Sequence, residues 1–179
     1  MSLLAATLIP GLILLLLGLP LFLGSTRVAG TFRAFPRSLP ATYLFFGGAT
    51  LWFLYLVWNL SAADFGEFHV ALTVGFAVIA LCSFKCVPDF LAVRGLAILV
   101  LLGSYPLLMA GYLRFDHPQI YFQKALLFIP IILAIWLGAQ PWRLRDFFEW
   151  LFARRERSRM IGGLVAAYGL LLTVLAFTY

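Results

Sequence analysis

Long apolar runs alternate with short polar ones along this chain. The runs cover roughly residues 3–23, 40–60, 66–86, 89–113, 118–140 and 160–178. Each is long enough to cross a hydrocarbon core about 30 Å thick, which takes roughly 20 apolar residues. Leu3 to Leu23 does so without a single charge. The pattern predicts an all-α fold: one integral-membrane domain over residues 1–179, a polytopic transmembrane bundle of six spanning helices. The first run lacks a basic n-region and exceeds a usual signal-peptide core, so it reads as a span and not as a cleaved leader.

A seventh stretch has a different pattern. Between residues 142 and 157, Leu144, Phe147, Phe148, Leu151 and Phe152 recur at helical spacing. Arg143, Arg145, Asp146, Glu149, Arg154 and Arg155 fill much of the rest. The apolar block is too short and too interrupted by charge to span a bilayer. An amphipathic helix of this kind lies in the headgroup plane, here just before the last span. Phe147, Phe148 and Leu151 are expected to face hydrocarbon or the bundle, and the arginines to face headgroups or water.

Composition sharpens this picture. The chain is 64% hydrophobic and only 11% charged, far from the quarter or so that a soluble domain carries. The net charge of +6 does not point to nucleic acid, because the basic residues are dispersed between apolar runs. Two cysteines define no disulfide framework.

The position of the charge predicts the threading. The first, third and fifth loops hold eleven of the thirteen basic residues: Arg27, Arg33, Arg37, Lys85, Arg94, Arg143, Arg145, Arg154, Arg155, Arg157 and Arg159. The second and fourth hold Arg114 and Lys124. Cytoplasmic loops are enriched in Lys and Arg, so the odd loops are expected in the cytoplasm of a bacterial inner membrane, with both termini outside. Helix-start signals fit this threading. Asp64-Phe-Gly-Glu67 and Asp116-His-Pro-Gln119 read as capping boxes, and Pro88 with Asp89 suits a first helical turn.

Candidate chemistry is sparse. Ionisable groups at mid-bilayer default to function, and this sequence places none there. His69 and His117, with Asp64, Glu67 and Asp116, lie at one surface but without a fixed metal-ligand spacing, so the expectation is no metal and no cofactor. Cys82 and Cys86 share a helix face and read as small buried residues. No nucleophile–base pair is visible, which argues against an enzyme. Arg143, Arg145, Arg154, Arg155, Arg157 and Arg159 are candidate contacts for lipid headgroups or a partner. Gly162, Ala166 and Gly169 put small residues on one face of the last span, a device that lets helices approach closely in lipid. Pro10, Pro106 and Pro130 are expected to bend their helices. The aromatic second run, "TYLFFGGATLWFLYLVWNL", lines either a pocket for an apolar ligand or a lipid-facing or inter-helix surface. The expected partners are the bilayer, other membrane subunits or further copies of the chain. Two function classes follow: a non-enzymatic accessory or scaffold subunit of a membrane complex, or a small transporter or channel for an uncharged or lipid-like substrate.

Overall fold

The computed structural model describes residues 1–113 and 118–178. Eight helices carry the fold: α1 (Leu3–Leu23), α2 (Thr26–Ala34), α3 (Leu39–Trp58), α4 (His69–Cys86), α5 (Leu91–Ala110), α6 (Ile120–Ala139), α7 (Trp142–Phe152) and α8 (Arg155–Ala176). No strand occurs among the described residues. Six helices are long and apolar enough to cross a membrane, namely all but α2 and α7. The chain is therefore a multi-pass membrane protein.

Local chemistry sets the helix ends. Ser2 caps α1 by accepting from the Ala5 N–H at 3.3 Å, and Gly24 ends it in the left-handed region at φ 63°, donating its N–H to the Pro20 carbonyl. Glycine suits that stop because it has no Cβ to clash there. Ser38 caps α3 through the Ala41 N–H at 3.4 Å. Thr42–Gly47 then forms a π-helical turn before Gly48–Trp58 resumes the α-helix.

Two helix-start signals are used differently in the structure, although the third span covers Gly66–Cys86 as the pattern predicts. Asp64 and Glu67 form no capping box. Asp64 accepts a hydrogen bond from the Ser61 hydroxyl at 2.8 Å, and Gly66 donates its N–H to the Ser61 carbonyl. The Asp64 carboxylate is thereby engaged within two successive 3-10 turns, and α4 proper opens at His69. Pro88 and Asp89 fall ahead of α5, whose first residue is Leu91, because Phe90 takes a left-handed conformation at φ 58°. The Asp116 box, with Arg114 and His117, lies outside the described residues. The interfacial helix is also shorter than the pattern predicts. It stops at Phe152, Arg154 is extended at φ −133° and ψ 127°, and α8 begins at Arg155. The extended Arg154 separates α7 from α8.

The helices pack as a succession of neighbours. The most extensive contact joins α1 and α8, which run antiparallel. α5 is central: it packs on α6, on the π-helical turn of α3 and on α1. Gly95 of α5 is buried against the Phe46 backbone, so α5 rests directly on that turn. α4 packs chiefly on α3 at the periphery, and only 6% of its span is buried against 33% for α1 and α5. Cys82 and Cys86 are accordingly exposed, not buried as their size suggests.

Prolines in the spans leave carbonyls short of partners, because proline has no N–H to donate. Pro10 deprives the Ala6 carbonyl of its usual donor. The buried Gln123 of α6 supplies one, its Nε2 donating to Ala6 O and to Leu107 O, each at 3.1 Å. Leu107 is also short of a partner, since the Gly111 N–H goes to Leu108. One side chain thus ties α1, α5 and α6 together.

Candidate functional site: a basic aromatic platform

The first, third and fifth loops meet at one end of the molecule. α2 and the turn Phe35–Arg37 pack on α7, and the same turn packs on α5. Their contact is an aromatic core. Leu21, Phe148 and Leu151 are buried at its centre, ringed by Phe32, Phe35, Leu144, Phe152 and Ile161. Phe32 meets Phe148 edge-on at 5.4 Å between ring centroids, a favourable arrangement for the aromatic quadrupole. Residues three and four apart on α7 put Phe148 and Leu151 on one side. Phe147 lies at the margin, 42% exposed.

Cations lie near aromatic rings in and around this core. Arg33 donates to the Phe152 carbonyl at 3.1 Å and its guanidinium lies 5.7 Å from the Phe152 ring centre. Arg37 lies 5.2 Å from the Phe90 ring, tying the first loop to the third. Arg157 donates to the Trp150 carbonyl and sits over the Trp150 ring at 4.8 Å. Arg143 donates to the Gln140 side chain and lies 5.8 Å from the Trp136 ring. Stacked guanidinium planes leave N–H edges free for phosphate or carboxylate. Arg145 differs: it is paired with Asp146 at 2.7 Å and reaches Glu149 at 4.0 Å. The hydrogen bond and charge of Asp146 hold its guanidinium above the ordinary arginine value.

Arg154, Arg155 and Arg159 are exposed and, among the described residues, make no ion pair. Arg155 and Arg159 lie against Gly24, where a Cβ would sit 3.3 Å from Arg155 Nε. The α1–α2 turn and the start of α8 thus share one basic surface. Glu156 in the first turn of α8 partly offsets the cost of cations at a helix N-terminus. Ser158, buried among these arginines, donates to the Leu21 carbonyl at 2.9 Å and locks α8 to the end of α1. Read as part of a basic run, Ser158 gave no signal of that role.

The remaining sequence candidates lie elsewhere. Gly162, Ala166 and Gly169 all face α1. A Cβ on Gly162 would come within 2.7 Å of the Leu21 carbonyl carbon, and one on Gly169 within 2.8 Å of Gly11 O. Ala166 meets Gly18, where a Cβ would lie 2.9 Å from the Ala166 Cα. His69 sits at the opposite end, its Nδ1 2.6 Å from the Gly66 carbonyl and its ring edge-on to Trp58. The carbonyl makes Nδ1 the protonated nitrogen, and His117 and Asp116 fall outside the described residues. Among the described residues no three His, Cys, Asp or Glu side chains converge. Within α3 and α4 there is a cleft of about 350 Å³, lined by Gly47, Thr50, Leu51, Leu54, Ala77, Ala80, Leu81 and Phe84. Apart from Phe84 its walls are small and aliphatic, while Phe45, Phe46 and Phe53 of α3 pair with Phe35, Phe84 and Phe76.

Comparison with protein-family models, curated proteins and solved structures gives no match.

Proposed function

We propose that this chain is a non-enzymatic subunit of a bacterial inner-membrane complex, an accessory or scaffold component that presents its basic platform to the cytoplasm. The observation that carries the reading is the placement of charge. Asp, Glu, Lys, Arg and His side chains among the described residues lie no deeper than the fifth residue from a helix end, while Arg154, Arg155 and Arg159 stand exposed beside the aromatic core. Arginine clusters of this kind mark the cytoplasmic side, which puts both termini outside. They also favour anionic surfaces, at about 1 kcal/mol for each cation near the leaflet. A bundle without mid-membrane charge offers no proton relay or ion-coupling group.

Native purification in mild detergent tests the subunit reading. An assembly of fixed stoichiometry, larger than the 20.0 kDa chain, is expected, and it should dissociate when Arg154, Arg155 and Arg159 are changed to Gln together. A lone chain that instead moves an apolar solute across liposomes establishes the second reading, a transporter of lipid-like molecules. The α3–α4 cleft and the proline-interrupted α1, α5 and α6 favour that alternative. Cysteine labelling tests the orientation in a variant with Cys82 and Cys86 replaced. Positions 33 and 155 should label from the cytoplasm, and position 64 from outside.

A further inference from the structure

We infer that the cleft between α3 and α4 is a binding site for one anionic phospholipid, its acyl chain along the cleft and its phosphate at Tyr43 and Lys85. The inference is independent of the subunit reading and of the platform.

The geometry begins with the direction of the two helices. They run antiparallel, as Tyr43 and Phe46 meet Phe84 at 5.5 and 5.2 Å while Phe53 meets Phe76 at 5.1 Å. The cleft follows this pair from Gly47 and Phe84 to Leu54 and Ala77. At 1.5 Å per residue that is about 10 Å of helix, pointing from the basic end toward the middle of the core. Its lining is hydrocarbon apart from the Thr50 hydroxyl. The π-helical turn ends at Gly47, which has nothing within 4 Å of its missing Cβ, and neither has Gly48. Of the two, Gly47 lines the cleft and narrows it less than a residue with a side chain would. A cleft of this kind within a bilayer has acyl chains, not water, as its surroundings.

The mouth supplies the choice of headgroup. Phe84 floors the cleft at the basic end, with the Tyr43 ring stacked on it. Tyr43 is 65% exposed, so the ring is covered by Phe84 on one side only. Lys85 follows Phe84 and is exposed; it stands one turn beyond Leu81, a cleft residue, and so on the same flank. A lysine at the end of a spanning helix extends its ammonium to the headgroup level. The mouth therefore combines an ammonium and a phenol hydroxyl, complementary to a phosphate, immediately beside an apolar channel. A lipid with net negative charge gains from the ammonium what a zwitterionic one largely loses to its own choline.

Native mass spectrometry of the full, delipidated chain in mild detergent tests this, with phosphatidylglycerol or phosphatidylcholine of identical acyl chains added. One phosphatidylglycerol per chain should be retained, favoured over phosphatidylcholine by about fivefold, the factor expected of one cation beside an anionic headgroup. Ala80→Phe fills the cleft and should reduce retention of both lipids to background; Ala77→Leu is a milder filler if the first variant does not fold. Lys85→Gln should abolish the preference while leaving chain-dependent binding. Equal retention of the two lipids by the native chain overturns the inference. So does retention by a folded, cleft-filled variant, or a dimer that separates when the cleft is filled, which would make a second copy the occupant. Retention that survives Lys85→Gln with its preference intact, but is lost when Arg154, Arg155 and Arg159 become Gln, would move the lipid to the platform and overturn it equally.

Discussion

Two antiparallel helix pairs in this molecule use glycine in opposite ways. Between α1 and α8, Gly11, Gly18, Gly162 and Gly169 are each buried against the facing backbone. On α3 and α4, Gly47, which lines the cleft, and Gly48 and Gly75 have open space where a side chain would go. In lipid there is little hydrophobic force between helices, so packing contacts and hydrogen bonds decide association. The first pair maximises backbone contact and adds the Ser158–Leu21 bond. The second pair meets through aromatic rings and leaves a cleft. The difference teaches that a glycine in a span is informative only with its neighbour: the same residue closes one interface and opens another.

The sharpest way to break the comparison is to put a large side chain into the tight pair. Gly162→Leu drives a branched side chain into the α1 backbone at Leu21 and Phe22. The loss should exceed about 3 kcal/mol, the upper end for overpacking, seen as a large fall in thermal stability in detergent. A variant melting within a degree of the native chain would show that the α1–α8 contact is not close. Gln123→Leu comes next. It removes both donations that hold the Ala6 and Leu107 carbonyls and should cost about 1–3 kcal/mol, measured by denaturation in mixed micelles. The share owed to Ala6 should disappear when Pro10→Ala restores an N–H for that carbonyl, leaving the share owed to Leu107, and fully additive costs would count against the link between the two.

Ser158→Ala tests a smaller part of the tight pair. Losing one interhelical hydrogen bond in a membrane protein costs about 0.6 kcal/mol on average, so a modest drop is expected, with the α1–α8 contact kept. The smallest effect belongs to the open surfaces. Gly75→Leu and Gly138→Leu meet nothing within 4 Å and should change stability by no more than about 0.5 kcal/mol. A large loss at Gly75 would mean that α4 is covered by another helix in the membrane, which would redraw the contrast between the two pairs.

What was legible in the sequence follows from one-dimensional physics. A span needs a run of apolar residues of fixed length, so α1 is bounded by residues 3 and 23 in both the pattern and the structure. The amphipathic α7 was legible for the same reason: its period of three and four residues is written in order along the chain. The sequence also displayed the small-residue face of α8, but not the helix it meets. That required the facing Gly11 and Gly18, some 150 residues away in the chain, and composition alone gives no register between them.

Tertiary structure decided the rest. Helix ends moved wherever backbone turns outbid a side-chain cap, as at Ser61–Phe68, or wherever the chain had to change direction, as at Arg154. The exposure of Cys82 and Cys86 depended on α4 lying at the periphery, and nothing local to those residues encodes that. The platform depended on three loops meeting, with Phe32 and Leu21 brought under α7. The Gln123 bracket depended on a proline in a different span. Length and periodicity are local properties, so the sequence by itself determined the six apolar helices, the short amphipathic helix and the alternation of basic loops. Which surfaces touch depends on shape and on unpaired backbone groups far apart in the chain, and these become partners only when the helices are packed.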